Sequence, residues 1–583
     1  MRPASILLAI ALSAAAPAGG ADRAAFNRAL PREAVELLAA GYRGRVAILD
    51  TVAREQLSHM CGDACPASAR TPPAVTYLDV FFRTGAHLKR PLIRIRSASL
   101  RRRIAAGLDG AARDEFARTR RLPPLALLAA KAQRLARDAD GAPRPQVASA
   151  AIRPYGRSYE RALPEARELL AAGRAAAEDF ALTPRIEAYA DAVAQLEVTD
   201  ADMIPLRRIE ARYQSFLAID QFRPVPAGDG DWHDAHAALK PTDAGDAALT
   251  WRVLRDAWRV GDAAAARRCL DDLAAAQRAA GAPAAARRRV ERAYNRLWRP
   301  GVACLAFAAA FVAALVAVIS RRRWPRRLAM ALLGAATLLT GAAFAVRWAL
   351  SDRPAYLPPV TNQFEGILAS AMLAGAFALA AEALAARRGA RGGVFALAGA
   401  LYAAVALLGA AVLLGPVATG IGQPAGILHT PLLTAHVSVI IAAHALVGMT
   451  GAISLTYLAA HGWAVLRGRA GDTIRDALPD PATAIDRCNL LTAQLATCTL
   501  LVGIVLGAWW ADTAWSRFWG WDAKETWSLI TLVVYVIVLH ARALVPAHRR
   551  GLVTAAGCLL GVGVMLFNWI VVNYLMTGKH SYV

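Results

Sequence analysis

Acidic residues are scarce in this sequence. The 583 residues contain 44 Asp and Glu against 67 Lys and Arg, so the formal net charge is +23, and arginine supplies nearly all of the cations. A basic excess of this kind can indicate nucleic-acid binding. No segment has the pattern of a nucleic-acid-binding fold, and the arginines are spread along helical segments or gathered at short breaks between apolar runs. The charge balance therefore does not predict a nucleic-acid partner.

Cysteine is also scarce, with seven residues. Only Cys61 and Cys65 lie close together, and their Cys-x-x-x-Cys spacing has no histidine after it. A local disulfide in an oxidising compartment is the plain interpretation, with thiol exchange or a metal site as the alternatives. Four further cysteines fall in or beside apolar runs and are expected to be apolar packing: Cys304, Cys488, Cys498 and Cys558.

The first 300 residues lack long apolar runs, except at the N-terminus. They are charged, rich in Ala and Arg and interrupted by Pro and Gly, and they predict a mostly helical soluble domain over residues 21–298. No paired carboxylates and no Ser/His/Asp set stand at an informative spacing there. Residues 1–20 have the pattern of a signal peptide with cleavage near Ala18 or Ala21; an uncleaved anchor helix is the alternative.

From Gly301 onward, apolar runs of about 20 residues alternate with short charged breaks. Residues 299–583 are therefore predicted to be an all-α membrane bundle of about eight transmembrane helices. The predicted spans are Gly301 to Ser320, Leu328 to Leu350, Phe364 to Ala386, Val394 to Pro416, Leu432 to Ala460, Asn489 to Trp510, Thr526 to Val545 and Leu552 to Tyr574.

Arginines are concentrated in the breaks after the first, third, fifth and seventh spans. The positive-inside rule places these breaks in the cytoplasm. The alternate breaks and the whole N-terminal half then face the extracytoplasmic side, which agrees with the signal peptide. The sequence thus predicts a multi-pass protein of the bacterial inner membrane.

Six of the 14 tryptophans fall within residues 509–527, which we call the tryptophan loop. An aromatic belt at the bilayer surface explains some tryptophan there. It does not explain why Asp522, Lys524 and Glu525 stand among the aromatic residues, nor why they gather at one break only. The segment Trp519-Gly520-Trp521-Asp522-Ala523-Lys524-Glu525 is therefore predicted to be functional.

Two histidines are predicted to share the outer face with this loop. His436 begins the fifth span and His580 follows the eighth, and neutral imidazoles approaching from opposite sides are good axial ligands for haem iron. His540 and His444 lie inside spans, where a histidine needs a partner or a role. A helix–helix hydrogen bond is the plain interpretation of each, whereas His540 could also hold haem earlier on its way outward.

The residues Trp519 to Glu525, continued by Thr526 to Ile530, resemble the "WWD" signature of the cytochrome c biogenesis proteins that handle haem, most closely the CcsA (ResC) branch. Leu433 to Ser438 resembles the first outer histidine of that family, and Gly578 to Tyr582 resembles the second. Pro358 to Gly366, with Asn362 and Glu365, is similar to a short Asn/Glu motif of the family.

The resemblance implies a part of a holocytochrome c synthase that exports haem b and presents it for thioether attachment to the Cys-x-x-Cys-His motif of an apocytochrome c. Ferrous haem is needed in this family. The implied iron ligands are His436 and His580, with His540 as the earlier haem contact. The implied catalytic residues are those of the signature loop that holds the ring: Trp519, Trp521, Asp522, Lys524 and Glu525. Among them Asp522, Lys524 and Glu525, together with Arg517, are candidates for orienting the loop or meeting the propionates. Trp510, Trp515 and Trp527 are implied to bind haem.

Some positions depart from the family pattern. Ala523 replaces a usual proline, Ser516 a common glycine and Leu532 a common tryptophan. His444 stands where tyrosine is frequent and is interpreted as a mere substitution, with a proton or haem contact as the alternative. The first two spans contain no histidine, so a ResB/CcsB-type membrane partner is expected to supply one. A thiol-reducing protein is a further expected partner.

Two other functions compete with this interpretation. A membrane b-type cytochrome for electron transfer would hold haem permanently, and histidine pairs within facing spans would favour it. A transporter of a different organic substrate would leave the His436 and His580 pairing unexplained. The N-terminal half weakly resembles the extracytoplasmic region of some long biogenesis proteins, through Gly44 to Arg54 and Tyr77 to Ile95.

Overall fold

The computed structural model describes residues 20–62, 71–140, 164–196, 205, 209, 212, 222–226, 232–235, 237–239, 245–298, 300–320, 322–354, 356–387, 393–414, 420–422, 430–466, 481–573 and 576. The chain divides into two compact units, Met1–Arg296 and Leu297–Val583. The predicted signal peptide, Cys65 and His580 lie outside the described residues.

The N-terminal unit is mostly helical. Its described helices are Gly20–Ala29, Arg32–Glu36, Leu49–Cys61, Pro73–Phe82, Thr84–Leu88, Ala98–Ala106, Gly110–Thr119, Pro124–Asp140, Pro164–Ala171, Pro184–Ala194, Asp246–Val260, Ala263–Ala279 and Ala285–Leu297, with short 3₁₀ turns at Ala177–Phe180 and Ala237–Leu239. Small antiparallel pairs join Ala39–Tyr42 to Arg45–Ile48, Ile93–Arg94 to Arg121–Leu122, and Val225–Pro226 to Trp232–His233.

Aromatic side chains form the centre of this unit. Phe82 lies between Trp251 and Trp258, with ring centroids 4.9 and 5.8 Å away, and Phe222 packs edge-on against Phe81 at 6.0 Å. Burial of such large apolar rings contributes about 2 kcal/mol or more per side chain. The unit therefore has its own hydrophobic core, as expected of an independently folded region.

A partly buried carboxylate, that of Asp79, pairs with the charged residues beside that core. Asp79 accepts hydrogen bonds from the Trp258 indole at 3.1 Å and from His87 Nε2 at 3.0 Å, and it pairs with Arg23. Burial opposes ionisation of Asp79, but the His87 hydrogen bond and the neighbouring guanidinium charges outweigh it and hold the pKa of Asp79 well below its usual range. Burial lowers the pKa of His87, with Asp79 opposing this shift.

The second unit has eight described helices that are long and apolar enough to cross a membrane, which confirms the predicted all-α polytopic fold. They are α1 Pro300–Ser320, α2 Arg323–Leu350, α3 Gln363–Arg387, α4 Val394–Leu413, α5 Pro431–Leu466, α6 Pro481–Trp515, α7 Ala523–Leu544 and α8 Arg550–Phe567. A short turn, Ala547–Arg549, precedes α8, and a π-helical turn, Asn568–Val572, follows it.

Large apolar side chains cover the outer faces of these helices. Leu305, Leu338, Val412 and Leu501 are each more than half exposed. Such exposure is costly in water and favourable against lipid tails, and each helix satisfies its backbone groups internally, as the bilayer interior requires. The second unit is therefore a multi-pass membrane domain.

Small residues and paired polar groups hold the helices together. Gly503 and Gly507 on α6 allow Ile440 and His436 of α5 to pack directly on the α6 backbone. Within the bundle, the Tyr535 and Thr450 hydroxyls are 2.6 Å apart. Polar side chains of the spans thus find partners on neighbouring helices, and α5 and α6 approach closely where His436 lies.

Candidate functional site: the tryptophan loop and its histidines

The tryptophan loop is mostly helical at both ends. Helix α6 continues to Trp515, five residues beyond the predicted end of the span, and α7 begins at Ala523, within the signature itself. The connecting residues turn sharply, because Ser516 and Trp521 have positive φ angles of 54° and 56°. Positive φ is unfavourable for a non-glycine residue, so the surrounding contacts must hold this turn in place.

Two acidic residues of the signature close this turn. Asp522 is the N-cap of α7, and its Oδ1 accepts the Glu525 backbone N–H at 2.9 Å. Glu525 Oε2 in return accepts backbone N–H groups of Gly520 at 2.7 Å and Asp522 at 3.4 Å. This capping box satisfies backbone donors that would otherwise be left open at the helix start. Both carboxylates therefore serve the backbone of the loop.

The tryptophans form contacting aromatic pairs along the loop. Trp510 and Trp515 meet edge-to-face with centroids 4.9 Å apart, and Trp519 and Trp521 do so at 5.9 Å. Trp527 lies against Phe567 of α8 at 4.1 Å. Trp510 is buried, whereas Trp521 is 71% exposed. The loop thus exposes the indole of Trp521, which packs against the ring of Trp519.

The indole Nε1 of Trp519 and the guanidinium Nε of Arg517 are buried donors with no acceptor among the described residues. Arg517 packs beneath Gly520 so closely that a side chain at Gly520 would collide with it. A buried donor without an acceptor costs about 1–3 kcal/mol, so such groups commonly meet a ligand. Both donors fit an anionic group such as a haem propionate.

His436 is held in the tautomer that can bind a metal. Its Nδ1 lies 2.8 Å from the carbonyl oxygen of Gly503, and a carbonyl can only accept a hydrogen bond, so Nδ1 carries the proton. The lone pair is therefore on Nε2, as in metal-binding histidines whose other nitrogen is fixed by a backbone carbonyl. Gly507 contacts the same ring, one helical turn before Trp510. The imidazole is thus placed next to the start of the tryptophan loop.

His444, two turns further along α5, has the opposite tautomer. Its Nδ1 lies 2.9 Å from the Trp569 indole Nε1, and an indole N–H can only donate. In the neutral ring the proton is then on Nε2, which cannot coordinate iron in that state. The hydrogen bond between α5 and the end of α8 gives His444 a structural role and argues against a ligand role.

His540 lies near the other end of the bundle, away from the tryptophan loop along α7. Its Nδ1 is 2.8 Å from the Val536 carbonyl oxygen, so its Nε2 also keeps the lone pair, and the side chain is exposed. Nearby, Arg542 forms two 2.6 Å hydrogen bonds to Asp486 of α6. A free imidazole nitrogen on an exposed span surface requires a ligand or a neighbouring protein for its burial.

Lys524 connects the signature to the end of α8. Its Nζ donates to Asn573 Oδ1 at 2.9 Å, just beyond the π-helical turn that ends α8. The bond ties the signature to the end of the last span.

A buried ionic cluster at the ends of α2 and α3 is the main feature that sequence reasoning missed. Glu365 is fully buried and accepts from Arg347 at 2.9 Å and Arg353 at 3.3 Å. The same two arginines donate to the carbonyl oxygens of Gly420 and Gly422, ahead of the helix that carries His436. The available signal was Arg347, a charged residue within an apolar run, which requires a buried partner.

His580, the second predicted iron ligand, and Cys65, the partner of the predicted disulfide, lie outside the described residues, whereas Cys61 is buried at the end of its helix. Among the described residues, no three His, Cys, Asp or Glu side chains form a metal-binding group. The described part of the site is His436 with the tryptophan loop.

Fold and site together define a class of protein: a multi-pass α-helical membrane protein with a histidine in the metal-binding tautomer beside a rigid, tryptophan-rich turn. Comparison with known proteins makes this specific. Residues 306–580 match the family model described as cytochrome C assembly protein, and this membrane part of the chain belongs to that family. The family predicted from the signature is thereby confirmed.

The curated relatives cover only parts of both chains. The protein NrfI of Wolinella succinogenes is 35% identical over 150 residues, which are 26% of this chain and 16% of NrfI. The cytochrome c biogenesis protein CcsA of Synechococcus sp. (strain JA-3-3Ab) is 40% identical over 101 residues, 17% of this chain and 29% of CcsA. CcsA of Pyropia yezoensis is 38% identical over 99 residues, 17% and 30% of the two chains. The chain thus spans less than a third of these relatives.

Proposed function

We propose that this protein acts in cytochrome c biogenesis, by presenting haem b on the extracytoplasmic face of a bacterial inner membrane and supporting its covalent attachment to apocytochrome c. The observation that carries the proposal is the geometry at His436. The Gly503 carbonyl fixes the proton of the neutral ring on Nδ1, so the ring lone pair is on Nε2, and the ring lies next to the tryptophan loop. Family membership of the membrane domain supports the same function.

The chemistry asks the protein mainly for positioning. Each thioether forms when a thiol S–H adds across a haem vinyl group, so that sulfur bonds to one carbon, hydrogen goes to the other, and no electron is gained or lost overall. A loop that holds the ring beside two cysteines of a Cys-x-x-Cys-His motif raises their effective concentration. In our proposal His436 and His580 bind the iron, the indoles of Trp510, Trp515, Trp519, Trp521 and Trp527 support the ring, and Asp522 and Glu525 hold the loop rigid through the capping box.

Arg517 and Trp519 are proposed to receive the haem propionates. Their buried Nε and Nε1 donors have no acceptor among the described residues. A carboxylate there would accept charge-assisted hydrogen bonds, which are about twice as strong as neutral ones.

The orientation follows from the arginines. Arg322, Arg323, Arg326 and Arg327 lie at or beside the α1–α2 connection, Arg549 lies in the turn before α8, and Arg550 begins α8. The positive-inside rule assigns this side to the cytoplasm, so the tryptophan loop and the N-terminal unit face outward. His540 then lies toward the cytoplasmic end of α7 and is proposed to contact haem before export, together with a ResB/CcsB-type membrane partner. A thiol-reducing protein would keep the apocytochrome cysteines reduced.

The test is a pyridine haemochrome spectrum of the purified full-length protein, co-expressed with a ResB/CcsB-type partner, beside the variants His436→Ala and His580→Ala. We expect co-purified haem b that falls or changes ligation in both variants, and loss of covalent haem from several c-type cytochromes in cells lacking the protein. Unchanged haem in both variants would refute the outer site. Loss of a single electron-transfer activity, with covalent haem intact, would favour the b-type cytochrome instead.

A further inference from the structure

The last span does not end as an ordinary α-helix. After Phe567 the chain forms a π-helical turn, Asn568–Val572, in which the backbone is wound more widely than in an α-helix. Such turns are rare in proteins, and those that occur are often found at functional sites. This one lies at the end of the bundle that also contains the tryptophan loop, because its neighbour Asn573 contacts Lys524.

Three other helices send polar side chains to this turn. From α5, His444 accepts from the Trp569 indole at 2.9 Å; from α7, Ser528 accepts from Asn568 at 3.1 Å. From α3, Gln363 donates to the Trp569 carbonyl oxygen at 3.5 Å. The turn is therefore an anchor that α3, α5 and α7 share.

Lys524 makes a fourth connection to the end of α8, through the side chain of Asn573. Asn573 uses its amide nitrogen to donate to the Trp569 carbonyl oxygen at 2.9 Å, which leaves Oδ1 facing the Lys524 ammonium group. Because the hydrogen bond is charge-assisted, it is stronger than a neutral one. Lys524 stands two residues after the helix cap Asp522, so this bond fixes the first turn of α7 against the end of α8.

We propose that Lys524 is a positioning residue that acts through Asn573, and that the π-helical turn holds the tryptophan loop in register with α5, the helix that carries His436. The expected effect on haem binding rests on the proposed function, whereas the positioning role itself does not. It assigns the lysine of the signature to the protein scaffold, whereas its neighbours Trp519 and Trp521 face the haem. It also gives His444 a task, since its bond to Trp569 connects the same turn to the His436 helix.

The haem-dependent test compares Lys524→Met, Asn573→Ala and Asn573→Asp in the full-length protein with its partner. Asn573→Asp keeps an acceptor for the ammonium group, and Met576→Ala, at an exposed side chain nearby, is the control. We expect Lys524→Met and Asn573→Ala to lower the six-coordinate fraction of bound haem to a similar extent, and the double variant to be no worse than either. Added imidazole should restore the spectrum, and Asn573→Asp and Met576→Ala should resemble the parent protein.

If Lys524 contacts haem directly, Lys524→Met will impair ligation while Asn573→Ala leaves it intact, and the inference is then wrong. Additive losses in the double variant would contradict it as well, because two residues acting through one bond cannot lose it twice.

A second measurement does not depend on haem. Hydrogen exchange of the backbone at residues 568–573 should become about tenfold faster in both Lys524→Met and Asn573→Ala, since each removes one anchor of the turn. Unchanged exchange in both variants would overturn the inference. If the parent binds no haem but exchange accelerates as expected, the proposed function fails while the positioning role of Lys524 stands.

Discussion

At the scale of single residues, the tautomer of a histidine decides what it can do. His436 and His444 share one helix, yet a carbonyl faces Nδ1 in the first and an indole N–H faces Nδ1 in the second. Of these two residues, only His436 therefore has the lone pair of its neutral ring on Nε2, where it could bind a metal. His540 has the same arrangement as His436, with the Val536 carbonyl in place of Gly503.

Gly507→Ala is expected to displace the His436 ring. A Cβ at residue 507 would lie 2.5 Å from His436 Cε1 and 2.8 Å from Nδ1, which is too close for the ring to remain. Haem affinity should fall by about tenfold or more, as when the support of a metal ligand is lost. Titration with haem would measure it, and Gly409→Ala, where nothing described lies within 4 Å, is the matched control. Equal affinities in the two variants would show that His436 does not bind haem.

In the N-terminal unit, Asp79→Asn should destabilise the core by about 2 kcal/mol, because the partly buried Arg23 loses its counter-charge. Hydrogen exchange of the buried helix Pro73–Phe82 would report the change, and Asp114→Asn, at an exposed residue, is the control. No difference between the two variants would mean that the pairing of Arg23 with Asp79 does not stabilise this unit.

The stability of this unit is also expected to depend on pH. The pKa of Asp79 is lowered on folding, so its contribution is complete above about pH 4, its unfolded value, and is lost as the pH falls through the lower folded value. The pKa of buried His87 is lowered too, so stability begins to fall once the pH drops below about 6.5. Hydrogen exchange compared between pH 7 and 5.5, with rates corrected for intrinsic exchange, should show weaker protection at pH 5.5. His87→Gln should reduce this difference.

At the scale of elements, the number of spanning helices can be predicted from the sequence, whereas the residues at which they begin and end cannot. Hydropathy alone indicated the eight spans, because 18 or more apolar residues in a row have few other uses. It could not indicate that α6 extends to Trp515 or that α7 starts at Ala523, since these limits are set by the Asp522 and Glu525 capping box and not by apolarity. The π-helical turn after Phe567 has no sequence signal at all.

Asp522→Ala is expected to fray the first turn of α7 at a cost of about 1 kcal/mol, whereas Asp522→Asn should keep the cap because an amide oxygen can accept the Glu525 N–H. Haem content per protein would be measured for both. If Asp522 acts only as a cap, Asn will resemble the parent and Ala will be lower. If both variants fail equally, the charge of Asp522 has a chemical role beyond the cap.

The Glu365 cluster joins α2, α3 and the chain before α5, and its parts lie too far apart in sequence for their pairing to be predicted. Glu365→Gln should destabilise the membrane unit by about 3 kcal/mol, because it leaves Arg347 and Arg353 buried without a carboxylate. Thermal unfolding in detergent would measure the change. Adding Arg347→Met should cost less than the sum of the single effects, since the two residues share one interaction; strict additivity would contradict the pairing.

At the scale of the whole molecule, His540 is an exposed imidazole on a span, near the end of the bundle opposite the tryptophan loop, and the exposed His548 lies in the short turn after that span. His540 has a free Nε2, and neither α1 nor α2 contains a histidine to oppose it. A six-coordinate haem at that end would need a second ligand, which explains why a ResB/CcsB-type partner is part of the proposed function.

The expected outcome is a dependence of haem ligation on the partner. The double variant His436→Ala with His580→Ala removes both proposed outer ligands. We expect it to bind six-coordinate haem when it is co-purified with the partner, and five-coordinate haem or no haem when it is purified alone. Adding His540→Ala should abolish the remaining haem in both preparations, while His548→Ala, at a neighbouring exposed histidine, should not. Absorption and electron paramagnetic resonance spectra distinguish these states. Six-coordinate haem in the chain purified alone would show that both ligands come from this chain, and the partner would then be needed only for a later step.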